Sequence, residues 1–195
     1  FFTKINAQNI DVSINAGSGS IYLIENMDKS INLEYGTAAI LSADLKYTPE
    51  NAYFGIKFKF QNIQASLKGE NWQNNVNQNI FTNSFEGSIE NRVLHLQLEH
   101  LSAKLKFNFG YNFGVGQTSE VVRYDKKQIN KVEKDFMILN FGAIIKYNIT
   151  SKVGVKFEPS ILWNDPVNTI AGEYLNFAGE DVNLLFEFGF TYRLK

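Results

Sequence analysis

Val182-Asn183-Leu184-Leu185-Phe186-Glu187-Phe188-Gly189-Phe190-Thr191-Tyr192-Arg193-Leu194-Lys195 closes the chain, and its reading decides the fold class. Apolar residues occupy every second position from Val182 to Leu194, and Asn183, Glu187, Gly189, Thr191 and Arg193 fall between them. Successive side chains of a strand point to opposite faces, so period two means a strand with one aromatic face and one polar face. Charges and glycine opposite four aromatic rings are unusual for a soluble sheet.

The same alternation recurs upstream. Apolar positions alternate over 10–16, 33–45, 54–60, 94–98, 105–115, 137–147 and 153–163, each interleaved with small, polar or charged residues. With the closing segment this makes eight candidate strands, an even count as single-chain bacterial barrels require. Connections alternate in length. Short turns are expected near Thr48-Pro49-Glu50-Asn51, Glu99-His100-Leu101-Ser102 and Asn148-Ile149-Thr150-Ser151-Lys152, where Pro, Asn and Ser supply turn chemistry. Long loops are expected over 19–30, 68–92, 117–135 and 164–181. Short turns on one rim and long loops on the other suit a barrel with both termini on the periplasmic side.

Composition is compatible with this and excludes other classes. The 195 residues carry 17 Phe and 9 Tyr, no Cys, and a formal net charge of -1, so disulfides, thiolate metal sites and a nucleic-acid-binding basic field are ruled out. No apolar run approaches the roughly 18 residues of a spanning helix. The remaining way to cross a bilayer is a closed barrel, because every backbone N–H and C=O must be paired inside lipid. The expected organisation is a lead-in or signal remnant over residues 1–8 and one transmembrane β-barrel domain over 9–195, exported by way of a cleaved signal peptide.

Three features orient the faces. An eight-stranded barrel is only wide enough for side chains to fill, and Phe stacks from every strand would overfill it. The polar face carries both signs: Glu34, Asp44, Glu158 and Glu187 against Lys57, Lys59, Lys104, Lys106, Lys156 and Arg193. Such groups can pair inside, whereas a charge facing lipid costs roughly 2–4 kcal/mol at the midplane. Finally, Tyr35, Tyr47, Tyr111, Tyr147, Trp163 and Tyr192 stand near strand ends, where aromatic girdles meet headgroups. The expectation is Phe outward and a charge network in the lumen.

The ending, residues 186–195, resembles the closing strand of small outer-membrane β-barrel proteins of the porin-family, OmpX- or OmpW-like type. The resemblance implies an all-β, eight-stranded antiparallel barrel integral to the outer membrane, with Phe186, Phe188, Phe190 and Tyr192 as the strand read by the barrel-assembly machinery. It departs from the commonest form, in which the strand ends on the aromatic: here Arg193-Leu194-Lys195 follow Tyr192. It implies outer-membrane lipid and lipopolysaccharide as surroundings, and no substrate.

No catalytic motif emerges. His95 shares the lumen parity and reads as a network residue; His100 falls at a short turn, and the two fit no metal spacing. Gly110-Tyr111-Asn112-Phe113-Gly114-Val115-Gly116 lies on a strand with no following helix, so its glycines serve packing in a narrow barrel rather than a phosphate loop. The expected function is non-enzymatic and cofactor-free: a structural or accessory subunit of a larger secretion, uptake or assembly complex. The alternatives are a narrow channel or lateral-exit transporter for small hydrophobic solutes, with Pro159 as the break in its wall, and a soluble lipocalin-like carrier with the faces reversed.

Overall fold

The structure, a computed structural model, describes residues 9–23, 32–50, 52–70, 73–74, 79–80, 85–102, 106–124, 130–166 and 182–194. The strands are β1 (Asn9–Ser20), β2 (Asn32–Tyr35), β3 (Ala38–Thr48), β4 (Gly55–Glu70), β5 (Gln73–Asn74), β6 (Asn79–Ile80), β7 (Phe85–Leu101), β8 (Phe107–Tyr124), β9 (Asn130–Asn148), β10 (Val153–Asn164) and β11 (Val182–Arg193). All pairings are antiparallel, in the order β2-β4-β3-β1-β11-β10-β9-β8-β7, and β4 also pairs with β7, which closes the sheet. β2 and β3 both pair with β4 and are separated only by Gly36 and Thr37, so they form one interrupted stave. The barrel therefore has eight staves, with β5 and β6 a separate two-stranded hairpin. Followed once around the sheet, the register returns to β1 displaced by about ten residues, the stagger that makes closed strands tilt.

The rings point outward. Phe188 and Phe190 are 66% and 70% exposed, and Ile14, Leu41, Phe58, Phe60, Leu96, Phe113 and Phe141 join them in one exposed apolar belt. The opposite face buries Asp44, Lys57, Lys59, Glu158 and Glu187. A closed wall with aromatic groups outside and charges inside reverses a soluble barrel and suits a hydrocarbon surrounding. The lipocalin-like arrangement, with the rings converging inside, is thus not the one adopted.

Two of the expected long loops, 68–92 and 117–135, are largely strand. β4 and β7 pair without interruption from Gly55–Glu99 to Gly69–Phe85, and β8 and β9 pair up to Tyr124–Asn130. In the other two, residues 24–30 and 167–181 lie outside the described residues. Along the strand extensions the pattern inverts. On β4, Lys57, Lys59 and Gln61 face in while Ile56, Phe58 and Phe60 face out. Beyond them Ile63, Ala65 and Leu67 face in and Asn62, Gln64, Ser66 and Lys68 face out. β7 repeats this: His95, Gln97 and Glu99 lie inside the belt region, whereas beyond it Val93 and Ile89 are buried and Arg92 is exposed. The strands continue past the belt as an ordinary water-facing barrel with an apolar core. The outward Phe stripe ends at this boundary, and with it the signal that marked these segments as strand.

The second short turn falls later than expected: β7 runs to Leu101, and β8 starts at Phe107 rather than near Leu105. The glycines of β8 sit against the neighbouring backbone. A Cβ on Gly116 would lie 2.1 Å from the Leu94 carbonyl oxygen, and one on Gly110 2.0 Å from that of His100. The lumen wall has no room for a side chain there.

Candidate functional site

The interior is arranged in storeys. At the mid-belt level is an ion-pair network built from side chains of β3, β4, β7, β10 and β11. Glu158 of β10 receives Lys57 Nζ at 3.1 Å, Lys59 Nζ at 3.0 Å and Lys156 Nζ at 3.3 Å. Lys156 also reaches Asp44 at 2.7 Å, and Lys59 reaches Glu187 at 3.0 Å. Glu99 joins Lys57 at 2.8 Å and Lys46 at 2.7 Å. Neutral donors complete the carboxylates: Asn112 Nδ2 donates to Glu158 at 3.0 Å, Asn15 Nδ2 to Asp44 at 3.0 Å, Ser42 Oγ to Glu187 at 2.6 Å, and the Gln61 amide also donates to Glu187. Charges withdrawn from water hold only when each has such partners.

Of the ten lumen residues expected from sequence, Asp44, Lys57, Lys59, Lys156, Glu158 and Glu187 meet in this network. Arg193 lies below it, at the short-turn rim, donating to Asp11 at 2.9 Å. Glu34 does not join: the interruption at Gly36 and Thr37 shifts the stave's parity, so Glu34 is exposed and sits opposite Lys68. The same shift brings Tyr35 inward, 4.8 Å from the Tyr22 ring, rather than to an outer girdle. Lys106 is exposed in the turn before β8, because the strand starts later than its alternation suggested. Lys104 lies outside the described residues. Phe186, Phe188, Phe190 and Tyr192 form the exposed face of β11.

The expected set lacks Asp11, Lys46, Glu99 and Lys146, although each has the inward parity of its strand. Lys146 reaches Asp11 at 3.1 Å. His95 is buried on the inner face, its Nδ1 3.1 Å from Gln97 Nε2, and Gln97 donates onward to Asn140 at 2.9 Å. His100 lies outside the lumen, stacked on Tyr53 at 3.9 Å.

Above the network aliphatic side chains dominate the lumen, with Asn91, Thr118, Asn164 and Asn183 buried among them. Ile40, Ile63, Val93, Ile138, Leu162 and Leu185, from six different strands, pack into one buried cluster that continues to Ala38, Ala65, Leu67, Ile89 and Val122. None of the six exceeds 2% exposure. Tyr22 lies on this cluster, and its hydroxyl donates to Glu120. Outside the barrel, above the belt, Glu90 bonds Arg92 at 2.9 Å, Asn62 at 2.9 Å and Arg123 at 3.1 Å. The Arg92 and Asn62 hydrogen bonds hold its carboxyl well below the usual range. No group of metal-ligating side chains occurs among the described residues.

No known family model matches the chain, and no curated protein matches it in sequence. Solved structures do. A major outer membrane protein from Thermus thermophilus superposes with a TM-score of 0.59 at 12% identity, over 95% of this chain and 99% of that one. Neisserial surface protein A gives 0.56 at 4% identity, over 94% and 96%. Ail, the attachment invasion locus protein of Yersinia pestis, solved with the heparin analogue sucrose octasulfate, gives 0.55 at 12% identity, over 95% and 99%. At such identities the likeness is one of fold: this chain has the closed, eight-stranded antiparallel architecture of small outer-membrane β-barrels.

Proposed function

We propose that this chain is an integral outer-membrane protein whose sealed barrel serves as a non-enzymatic structural or accessory subunit of an envelope complex. The observation that carries the reading is the filled lumen: a salt-bridge storey from Asp44 to Glu187, roofed by the aliphatic cluster of Ile40, Ile63, Val93, Ile138, Leu162 and Leu185. Ions and solutes would have to displace both. The non-enzymatic part draws support from the two histidines. His95 is shut inside the wall, and His100 engages the Tyr53 carbonyl at 2.8 Å, so among the described residues neither is hydrogen-bonded to a nucleophilic side chain.

In this reading the Phe belt sits in acyl chains and the long-connection rim faces lipopolysaccharide. The β11 face of Phe186, Phe188, Phe190 and Tyr192 is what the assembly machinery reads during insertion, after a signal peptide has directed export. A lateral-exit transporter has one favourable feature, a break in the β9–β10 ladder between Phe157–Ile145 and Ser160–Gly142, around Pro159. The register is the same on both sides of the break, which speaks for a missing bond rather than an opening.

Planar-bilayer recording of the refolded protein tests the sealed barrel. We expect no stable conductance, and a large sustained one overturns the reading. Native purification in mild detergent tests the accessory role, with co-purifying envelope proteins expected.

A further inference from the structure

Among the described residues the lumen is closed above but open below. At the short-turn rim a cavity of about 700 Å³ is lined by Lys46, Lys106, Lys146, Arg193, Asp11 and Thr150, together with other strand-end and turn residues. Its inner end narrows to a void of about 10 Å³ beneath Lys156 and Asp44, room for about one water. The vestibule is therefore a blind cup, and its size lies within the range of small-molecule sites.

Its charge is one-sided. Among the described residues at its mouth, four cationic side chains face one carboxylate, Asp11, which is already shared between Lys146 and Arg193. Lys46 leans on Glu99, which Lys57 also uses. Lys106 is exposed at the lip and has no carboxylate partner among the described residues. Thr150 Oγ1 accepts the backbone N–H groups of Lys152 at 3.1 Å and Val153 at 2.9 Å, which leaves its hydroxyl proton to donate to a guest. A concave cationic surface between low-dielectric walls concentrates anions.

We propose that this vestibule is a binding site for a small, multiply charged anion bearing phosphate or carboxylate groups, presented from the side of the short turns. Lys106 captures it at the lip, Lys46, Lys146 and Arg193 supply the positive charge that Asp11 does not neutralise, and the lumen network blocks its passage. The site does not depend on the accessory-subunit reading: a sealed barrel with no partner would still carry it.

The test uses the refolded chain in nonionic detergent, titrated calorimetrically with pyrophosphate and, separately, with citrate. We expect a sub-millimolar Kd for at least one of them, weakening about ten-fold between low and physiological salt. Binding of pyrophosphate alone assigns phosphate chemistry, and binding of citrate alone assigns carboxylate chemistry. Lys106→Gln, at an exposed turn position, should weaken binding by about three-fold or more, and Lys106→Gln/Lys146→Gln by about ten-fold. Lys68→Gln, at the opposite rim, should change nothing. The proposal is overturned if neither anion binds at millimolar concentration, or if Lys68→Gln weakens binding as much as Lys106→Gln does.

Discussion

Lys57 Nζ lies 3.1 Å from Glu158 Oε1, across the lumen and 101 residues apart in the chain. The pair belongs to strands β4 and β10, which are not neighbours in the sheet. It therefore fixes the barrel's cross-section in a way that no backbone ladder does. Glu158 also serves Lys59 and Lys156, so three cations converge on one carboxylate.

Replacing that carboxylate should be costly. Glu158→Gln leaves Lys57, Lys59 and Lys156 with too few partners in a space water does not readily enter. We expect a loss of about 3–5 kcal/mol, read as a lower urea midpoint for the refolded protein in detergent. Combining it with Lys59→Met removes one stranded charge and should recover part of the loss. Equal instability of the single and double variants would mean the network is wet and weakly coupled.

The inversion of polarity along β4 makes a second prediction. Phe58 and Gln64 both point outward on the same strand, one within the belt and one beyond it. Phe58→Lys should cost about 2–4 kcal/mol in a lipid bilayer, while Gln64→Lys should cost close to nothing. Refolding into vesicles followed by chemical unfolding reads both. Similar costs at the two positions would place the membrane boundary elsewhere.

That inversion also explains what the sequence made legible. Where outward Phe, Leu and Ile met inward Lys, Glu and Asn, as on β1, β8, β10 and β11, alternation alone located the strands and their faces. Past Gln61 and Val93 the outside becomes polar and the inside mostly aliphatic, with Ile63, Ala65, Leu67 and Ile89 but also Asn91. The period persists, but the segment mixes Asn, Gln, Ser and Lys with aliphatics and looks like loop. The network was legible through parity, which also held for Asp11, Lys46, Glu99 and Lys146, the members left out of the expected set. Glu34 failed because two residues, Gly36 and Thr37, interrupt pairing and no residue-type signal marks a shift in parity. Which lysine meets which acid was not legible, since those contacts cross the barrel between strands far apart in sequence.

Glu90 offers a pH test outside the belt. Hydrogen bonds from Arg92 and Asn62 place its folded pKa at about 2, below the ordinary 4.5. The folded state thus favours the carboxylate. The stabilisation is fully present above about pH 4.5 and is lost as pH falls toward 2. The flanking arginines are 52% and 42% exposed, so solvent screening limits the contribution to no more than about 1 kcal/mol. Glu90→Gln should remove that component of acid sensitivity, seen as a shallower fall in melting temperature between pH 5 and pH 2. An unchanged slope would show that the cluster contributes nothing in solution.

Pro159 supplies the last test, because it separates a weak seam from a gate. Toward β11 its ladder is unbroken, with Pro159 opposite Phe186; toward β9 the pairing skips from Phe157–Ile145 to Ser160–Gly142. Proline has no N–H, so the bond missing on the β9 side is the one it cannot make. Pro159→Thr restores a donor at a position whose extended backbone suits a β-branched residue. We expect a gain of about 0.5–1.5 kcal/mol in unfolding free energy and slower hydrogen exchange of the β9–β10 amides. If the seam instead works as a lateral gate, the same substitution should impair solute uptake in vesicles while stability rises. If Pro159→Thr destabilises the barrel, the interrupted ladder is required by packing against the Phe157 and Phe186 rings, which stand 6.4 Å apart beside it.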